Sequence, residues 1–385
     1  MSKSNCIEKN ILVCEKLLLL CANVKSHQKQ NEISQLINQG INWQKFLQLA
    51  YDNAVSSLTF NSLKFYLPIN DIEREALQRL KISYQACTVR NIYYKEELKK
   101  IISLLMDKGI KVIPLKGIFL SERLYGDASS RDESVDLDLL IRQEDRAKAR
   151  PLIERTGYVC EGSGEIKEWE WVDIYSRPKR KIIELHWDIT MMARSKERIE
   201  GFWQGAQLVE REGIKYYDFL PEELLLYLSA HLTNSDSFRK LRSMCDIDRL
   251  LEKYGRQINW DSVVEKSGDW HLRSSLYAAL KLQAELFEPK YPRSIVRMLG
   301  ISLPKRLFIN TFANKGVLLK SNLRRRILDN FLAYTFFEII EASSFNDYLA
   351  ITKRIFFPPR DSVSTNYILR IINGISKILR KRDCT

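Results

Sequence analysis

Asp136 and Asp138, two aspartates separated by a single residue, have the side chains of this sequence best suited to do chemistry. They alternate with Val135, Leu137 and Leu139, and side chains two apart on a β-strand point to the same face. Neighbouring carboxylates repel one another and raise each other's pKa unless a cation lies between them. On this basis, replacing Asp138 by Asn should leave the metal-free protein at least as stable as before.

Mg²⁺ is the cation expected between these carboxylates, because it takes one or two carboxylates together with phosphate oxygens. A half-exposed strand without any ligand would show the same alternation of apolar and polar residues. Other segments of the chain must therefore decide between a metal-nucleotide site and a solvated strand.

A turn suited to phosphate precedes the aspartates. A short apolar run, residues 112–115, ends at Lys116 and Gly117, and a helix-like segment, residues 118–124, follows. A glycine lets backbone N–H groups approach a phosphate, and a helix N-terminus favours negative charge. Lys116 offers a point charge and Arg131 a bidentate guanidinium for phosphate oxygens. Lys116 would equally suit the surface at the start of a helix.

A third carboxylate follows in the segment KIIELHW, residues 181–187. Alternation places Ile183 and Leu185 on one face of a strand, and Glu184 and His186 on the other. The segment SRPKR, residues 176–180, predicts a hairpin-like turn before this strand. Glu184 thus offers a carboxylate to the same sheet surface as the aspartates, or pairs with a basic neighbour.

The order of these segments resembles a known family. The succession LKG (115–117), YG (125–126), Arg131, DLDLLI (136–141), TGY (156–158) and IELHW (183–187) is similar to nucleotidyltransferases of the DNA polymerase β-like superfamily, over roughly residues 40–290. The resemblance implies that Asp136 and Asp138 bind Mg²⁺ or Mn²⁺ and that Glu184 completes the catalytic and metal site. Together with side-chain chemistry, it gives these candidate nucleotide-binding residues: Lys116, Gly117, Arg131, His186 and His231.

The sequence departs from the superfamily at one position. The glycine of the turn is usually followed by serine or a second glycine, whereas Ile118 follows Gly117 here. The hydroxyl contact to the terminal phosphates is therefore missing, and we expect Lys116 and Arg131 to supply compensating charge. A binding protein that keeps the fold but has lost catalysis is the alternative that this departure leaves open.

The predicted fold is α+β, with a small mixed β-sheet nucleotidyltransferase core enclosed by N-terminal and C-terminal helices. Three regions are expected: a helical region at 1–110, the core at 111–215, and a C-terminal helical domain with a basic tail at 216–385. Apolar spacing predicts helices within 11–21, from Asp71 as N-cap through 87, over 98–105 with Gly109 as the stop, over 143–156 before Gly157, and from Pro221 onward.

Composition predicts a soluble cytoplasmic protein. Hydrophobic residues make up 45% and charged residues 28% of the 385, which is typical of a globular chain. The seven cysteines lack any C-x-x-C spacing, which favours reduced thiols over disulfides or a zinc site. Glu8 and Glu15 interrupt the apolar N-terminal residues, so we expect no targeting signal.

Positive charge is concentrated near the C-terminus. Of a net charge of +13, nearly all of the excess lies in residues 289–385, which contain eighteen Lys or Arg and six acids. Residues 367–382 carry an apolar stripe beside basic residues, which predicts a helix that docks on its own domain, an anionic membrane surface or a partner protein. Nucleic acid also fits a basic surface, but no interleaved aromatic residues favour it.

These observations predict a magnesium-dependent nucleotidyltransferase that transfers a nucleoside monophosphate from an NTP to an acceptor and releases pyrophosphate. One metal bound by all three carboxylates would activate the acceptor, and a second held by Asp136 and Asp138 would bind the triphosphate. The resemblance leaves a natural-product peptide, a sugar or another small molecule as acceptor. A toxin-like transferase acting on tRNA or protein is the alternative among enzymes.

Overall fold

The computed structural model describes residues 3–23, 26–66, 70–132, 136–161, 171–189, 196–235, 238 and 240–319. Within these ranges, helices come before and after a small mixed sheet, which confirms the predicted α+β class. The enclosure of the core by both sets of helices and the division into three domains stay predictions. The predicted helix 367–382 and most of the basic tail lie outside the described residues.

Five helices come before the sheet in the chain: α1 (Lys3–Ala22), α2 (Gln30–Asn38), α3 (Trp43–Asp52), α4 (Ser56–Leu63) and α5 (Asp71–Asp107). α5 is one helix of 37 residues that joins the two predicted segments. Its N-cap is Asn70 and not Asp71, because Asn70 keeps an extended backbone and its side chain accepts a hydrogen bond from the Glu73 N–H. Gly109, with φ +75°, follows the end of the helix as predicted.

Five strands form a sheet in the order β1–β2–β5–β4–β3, where β1 is Ile113–Pro114, β2 Asp136–Leu140, β3 Val159–Cys160, β4 Val172–Ser176 and β5 Ile182–His186. β2 and β5 are parallel and the other neighbours are antiparallel. The predicted hairpin turn joins β4 to β5. The sheet is therefore mixed, with the two acidic strands at its centre.

Each face of the two central strands is used differently. Leu137, Leu139, Ile183 and Leu185 are buried in an apolar cluster with residues of α5 and of α7 (Arg146–Glu154). Because side chains alternate along a strand, the acidic residues of β2 and β5 lie on the opposite face. The predicted assignment of Glu184 and His186 to one face, and of Ile183 and Leu185 to the other, is confirmed.

Three further helices lie in this region. α6 (Gly117–Tyr125) connects β1 to β2. α7 follows a 3₁₀ turn, Gln143–Asp145, and Gly157 comes after it with φ +89°, as the sequence predicted. α8 (Lys196–Gln204) leads into a second hairpin.

That second hairpin, β6 (Ala206–Arg211) and β7 (Ile214–Phe219), was not predicted. Its turn residues Glu212 and Gly213 have φ values of 50° and 77°, and two positive values are what a tight type I′ turn requires. The predicted domain boundary at 215/216 falls inside β7. The Tyr217 N–H also donates to the Val112 carbonyl at 2.9 Å, which ties the hairpin to the residues before β1.

Among the described residues, seven helices follow the second hairpin: α9 (Pro221–Ala230), α10 (Leu241–Tyr254), α11 (Trp260–Asp269), α12 (Arg273–Leu286), α13 (Ser294–Met298), α14 (Leu303–Phe312) and α15 (Lys315–Leu318). α9 begins at Pro221 as predicted and continues into a π-helical turn, His231–Ser235. A second apolar cluster joins these helices to α1–α4 and reaches the sheet at Leu140. Among the described helices, none has the length and apolar character to cross a membrane.

Candidate active site

The pairing of β2 with β5 brings the predicted carboxylates onto one surface. Asp138 lies directly opposite Glu184 in the parallel register. Asp136 precedes Asp138 by two residues, and His186 follows Glu184 by two residues, so all four side chains share a face. Adjacent strands lie about 4.8 Å apart, which brings the side chains of opposed residues close together. The sheet therefore assembles the acidic surface that the sequence predicted.

Asp138, Glu184 and His186 form a compact set of groups that could hold a metal ion. One ligand atom from each lies within 4.8 Å of the others. Asp138 Oδ2 is buried and has no hydrogen-bond partner among the described residues. A buried carboxylate oxygen is costly unless it is paired, and a divalent cation would satisfy it. Asp136 lies on the same face but outside this compact set.

Lys116 brings positive charge to the carboxylates. The Leu115 N–H donates to the Asp138 carbonyl at 3.1 Å, which places the following lysine beside the aspartate. Lys116 Nζ lies 2.9 Å from Asp138 Oδ1 and 3.0 Å from His231 Nε2. Burial opposes the charged lysine, but the Asp138 carboxylate outweighs it and raises the pKa of Lys116. The ammonium therefore donates to both partners, and His231 accepts through Nε2.

The two aspartates have pKa shifts of opposite direction. Burial and the charge of Asp138 raise the pKa of Asp136 to about 6. For Asp138, burial is outweighed by Lys116 and His186, which hold its pKa well below the usual value. The repulsion predicted from sequence thus raises the pKa of Asp136 but not that of Asp138.

His186 bridges two carboxylates. Its Nε2 lies 3.3 Å from Asp138 Oδ1 and 3.3 Å from Glu184 Oε2. Burial alone would lower the pKa of His186, but hydrogen bonds to Asp138 and Glu184 outweigh it and raise the pKa to about 9. At neutral pH the imidazole is therefore protonated, and two cationic side chains contact the acidic surface.

Comparison with known proteins gives the family. A family model described as uncharacterised nucleotidyltransferase matches residues 39–288, which is more than half of the chain. The chain belongs to this family. Among solved structures, the solution structure of the antibiotic-resistance factor ANT(2'')-Ia matches with 14% identity and a TM-score of 0.32, covering 48% of this chain and 92% of that chain. No curated protein matches at a significant level.

The phosphate-binding turn predicted for this nucleotidyltransferase has a backbone that favours glycine. Gly117 is the first residue of α6 and has φ +72°, a conformation that other residues rarely adopt. A Cβ atom there would meet no heavy atom within 4 Å, so the backbone conformation and not packing requires glycine. Ile118 is buried against α5, so its side chain stabilises the core. A serine hydroxyl at position 118 would point into that core.

Arg131 is part of a buried ion pair. Its Nε and Nη2 each lie 3.0 Å from an oxygen of Asp246 on α10, and both side chains are 3% exposed. The Tyr125 hydroxyl donates to the same carboxylate at 2.7 Å. The contact anchors the segment before β2 to α10. The phosphate-binding role of Arg131 in this nucleotidyltransferase stays a prediction.

The residue after Arg131 has a structural role of its own. Asp132 accepts hydrogen bonds from the Ser56 and Ser57 N–H groups at 2.9 and 2.7 Å. These N–H groups lie at the start of α4, where backbone donors have no partner within the helix. Asp132 thus caps α4 from 76 residues away along the chain.

Sequence reasoning missed Tyr227 as a residue of this site. It lies on α9 one turn before His231, and the two ring centroids are 6.1 Å apart. Burial raises the pKa of Tyr227, and the charge of Asp138 adds to this effect while Lys116 opposes it. Tyr227 therefore lies within the electrostatic reach of the charged groups of this nucleotidyltransferase. The spacing of four residues from His231 was the available signal, because such residues share a helix face.

Proposed function

We propose that this nucleotidyltransferase uses Mg²⁺ or Mn²⁺ to transfer a nucleoside monophosphate from an NTP to an acceptor. The acceptor oxygen would attack the α-phosphorus, and the bond from that phosphorus to the bridging oxygen would break and release pyrophosphate. The in-register pair of Asp138 and Glu184, with the buried and unpartnered Asp138 Oδ2, carries the proposal.

Asp136, Asp138 and Glu184 would hold the divalent cation, with His186 close enough to contribute a nitrogen ligand once deprotonated. When bound, the cation supplies charge neutralisation for the triphosphate and lowers the pKa of an acceptor hydroxyl. The donor set suits this role, because carboxylates are preferred by Mg²⁺ and Mn²⁺. The sheet fixes the spacing of the carboxylates, since both strands are held by backbone hydrogen bonds.

Lys116 and the start of α6 would bind the phosphates. The Lys116 ammonium is a positive point charge beside the carboxylates, and the first N–H groups of α6 have no partner within their helix. His231 accepts a hydrogen bond from Lys116 and would hold the ammonium in place. Tyr227 offers a hydroxyl donor near the same groups. Catalysis would then depend on positioning and on charge, as phosphoryl transfer generally does.

The acceptor is proposed to be a peptide, a sugar or another small molecule, as the family resemblance suggests. Cytoplasmic location stays a prediction. It agrees with Cys14, Cys21, Cys87, Cys160 and Cys245, which are buried free thiols.

Binding of an NTP is expected to require a divalent cation. Calorimetry with a non-hydrolysable analogue of each NTP, in Mg²⁺, in Mn²⁺ and in EDTA, measures this directly. We expect an affinity loss of at least about tenfold in EDTA, since a metal bridge between carboxylates and phosphates is worth several kcal/mol. Equal affinity with and without metal would contradict the proposal, and a preference for one base would identify the donor.

Replacing Lys116 by Met should weaken binding of the NTP. A hydrogen bond from a charged group contributes about 1.5–3 kcal/mol, so KM for the NTP should rise roughly 10- to 150-fold. Lys111→Met is the matched control, because Lys111 is an exposed lysine five residues earlier. Steady-state kinetics at saturating acceptor would separate KM from kcat. An unchanged KM in the folded Lys116→Met protein would show that this lysine does not contact phosphate.

A further inference from the structure

The longest of the described helices, α5, carries an apolar seam on its outward face. Ile82, Ala86, Val89 and Tyr93 recur at spacings of four, three and four residues, the pattern by which helices pair in coiled coils. Ile82, Val89 and Tyr93 are 55%, 67% and 43% exposed. Single exposed apolar residues are common, but three exposed ones along one seam, with the half-buried Ala86 between them, indicate a contact surface.

Charged residues continue the same seam at both ends. Glu75 and Arg79 precede Ile82, and Glu96 and Lys100 follow Tyr93, again at alternating spacings of three and four. The side chains of Glu75, Arg79 and Glu96 are 64%, 60% and 57% exposed. The seam therefore has an apolar centre and two charged residues at each end. Within the helix, Arg79 pairs with Glu75 at 2.6 Å and Glu96 pairs with Lys99 at 3.2 Å.

The charges of this seam complement themselves when the helix is reversed. Reversal about a point between residues 87 and 88 brings Arg79 opposite Glu96, and Glu75 opposite Lys100. The same operation brings Ile82 opposite Tyr93 and Ala86 opposite Val89. Every charged position thus faces the opposite charge and every apolar position faces an apolar one. A parallel arrangement would place each charge opposite its own copy.

We propose that two copies of this chain associate through α5, antiparallel and related by a two-fold axis between residues 87 and 88. In such an isologous contact each pair occurs twice. Helices packed at about 20° keep a seam of this spacing in contact. Ala86 lies near the axis, where a small side chain allows the two helices to approach closely.

The seam is open to solvent at Ile82 and Val89, while at its C-terminal end the Arg180 guanidinium carbon lies 4.6 Å from the Tyr93 ring centroid. The flanking residues Gln78, Gln85 and Arg90 are exposed as well, so the solvent-facing surface of α5 is wider than the seam itself. A groove of about 530 Å³ adjoins its C-terminal end, lined in part by Glu96 and Lys100. The symmetric pairing would place the charged end of the second copy, Glu75 and Arg79, beside this groove. Burial of the seam would also cover its exposed apolar side chains.

Sedimentation velocity of the full-length chain, over concentrations up to about 100 µM, tests the proposal. We expect a monomer–dimer equilibrium. Arg79→Glu and Glu96→Arg should each weaken the dimer by at least about tenfold, because each places like charges opposite one another twice. The double variant Arg79→Glu/Glu96→Arg restores opposite charges and should recover most of the affinity. Lys81→Glu is the matched control, since it makes the same charge change on α5 outside the seam.

A thermal melt of each variant at low concentration separates weak association from misfolding. Val89→Glu, a second disruption at the apolar centre, should give a monomer that melts like the parent. A full-length chain that stays monomeric would overturn the proposal, and this is also the outcome expected if the chain's own segment after residue 319 covers the seam. The proposal would also be overturned if the double variant did not recover the dimer affinity, or if the Val89→Glu protein formed a dimer as strong as that of the parent.

Discussion

Asp138→Asn is expected to lower nucleotidyl transfer by roughly a thousandfold, because loss of metal-based charge stabilisation costs several kcal/mol of transition-state binding. The side chain keeps its size, so the parallel pairing of β2 with β5 should persist. The substitution removes the charge of the one carboxylate that contacts Lys116 and His186 and also carries an unpartnered buried oxygen. Pyrophosphate release at saturating NTP measures the loss.

The same variant should also melt at a lower temperature than the parent in EDTA. Lys116 would then remain a buried cation without the carboxylate that it contacts, and an unpaired buried charge is costly. His186 would lose its contact to Asp138 but keep the one to Glu184. This reverses the expectation from sequence, in which the two aspartates only repelled each other. The structure supplies the reason, since the pKa of Asp138 is lowered and not raised.

Asp173→Asn is the matched control for this experiment. Asp173 is a buried aspartate on β4 whose carboxylate pairs with Arg146. It lies opposite Leu185 in the register, on the face of the sheet away from the site. We expect the Asp173→Asn protein to have a lower melting temperature than the parent. At temperatures where this variant stays folded, it should show no selective loss of nucleotidyl transfer. Asp138→Asn that transfers at the parental rate would show that the active site lies elsewhere.

The acidic surface could be predicted because residues that are close together in the sequence determine it. A period of two residues fixes the face of every side chain on a strand, so Asp136 with Asp138, and Glu184 with His186, could be assigned to common faces. The turn at Gly117 was predictable for the same reason, since a strand, a glycine and a helix follow one another directly. The register that places Asp138 opposite Glu184 also fits the resemblance to the superfamily.

Contacts between distant segments could not be predicted in this way. Asp246 is 115 residues from Arg131, and nothing in the pattern around either residue indicates the other. Lys116 contacts His231 across the same separation. Tyr227 was missed because a tyrosine on a leucine-rich helix resembles an ordinary core residue. Such pairs depend on how helices pack on the sheet, which periodicity does not specify.

The hairpin of β6 and β7 was missed for a different reason. β6 contains no buried residue and β7 alternates only at its start, so the turn residues Glu212 and Gly213 were the main signal. The continuity of α5 was missed because its apolar residues face different neighbours along its length. The same long helix carries the seam through which we propose that two copies of the chain associate.

Arg131→Met and Asp246→Asn are each expected to lower the free energy of unfolding by about 3–5 kcal/mol, the cost of leaving one member of a buried ion pair without its partner. Both side chains are 3% exposed, so water cannot replace the lost contact. Chemical denaturation of each variant measures the change. Arg256→Met, at an exposed position after α10, is the control and should stay within about 0.5 kcal/mol of the parent.

The same two variants test whether Arg131 also binds phosphate. Asp246→Asn keeps the guanidinium, so it should retain the parental KM for the NTP under conditions where it is folded. If Arg131 contacts the triphosphate, Arg131→Met should raise KM under those conditions, and if it only anchors β2 to α10, the two variants should have the same KM. The double variant Arg131→Met/Asp246→Leu replaces the pair with apolar groups and should recover stability, since such replacements are often neutral or stabilising. If the Arg131→Met protein unfolded at the same denaturant concentration as the parent, this would contradict the anchoring role of Arg131.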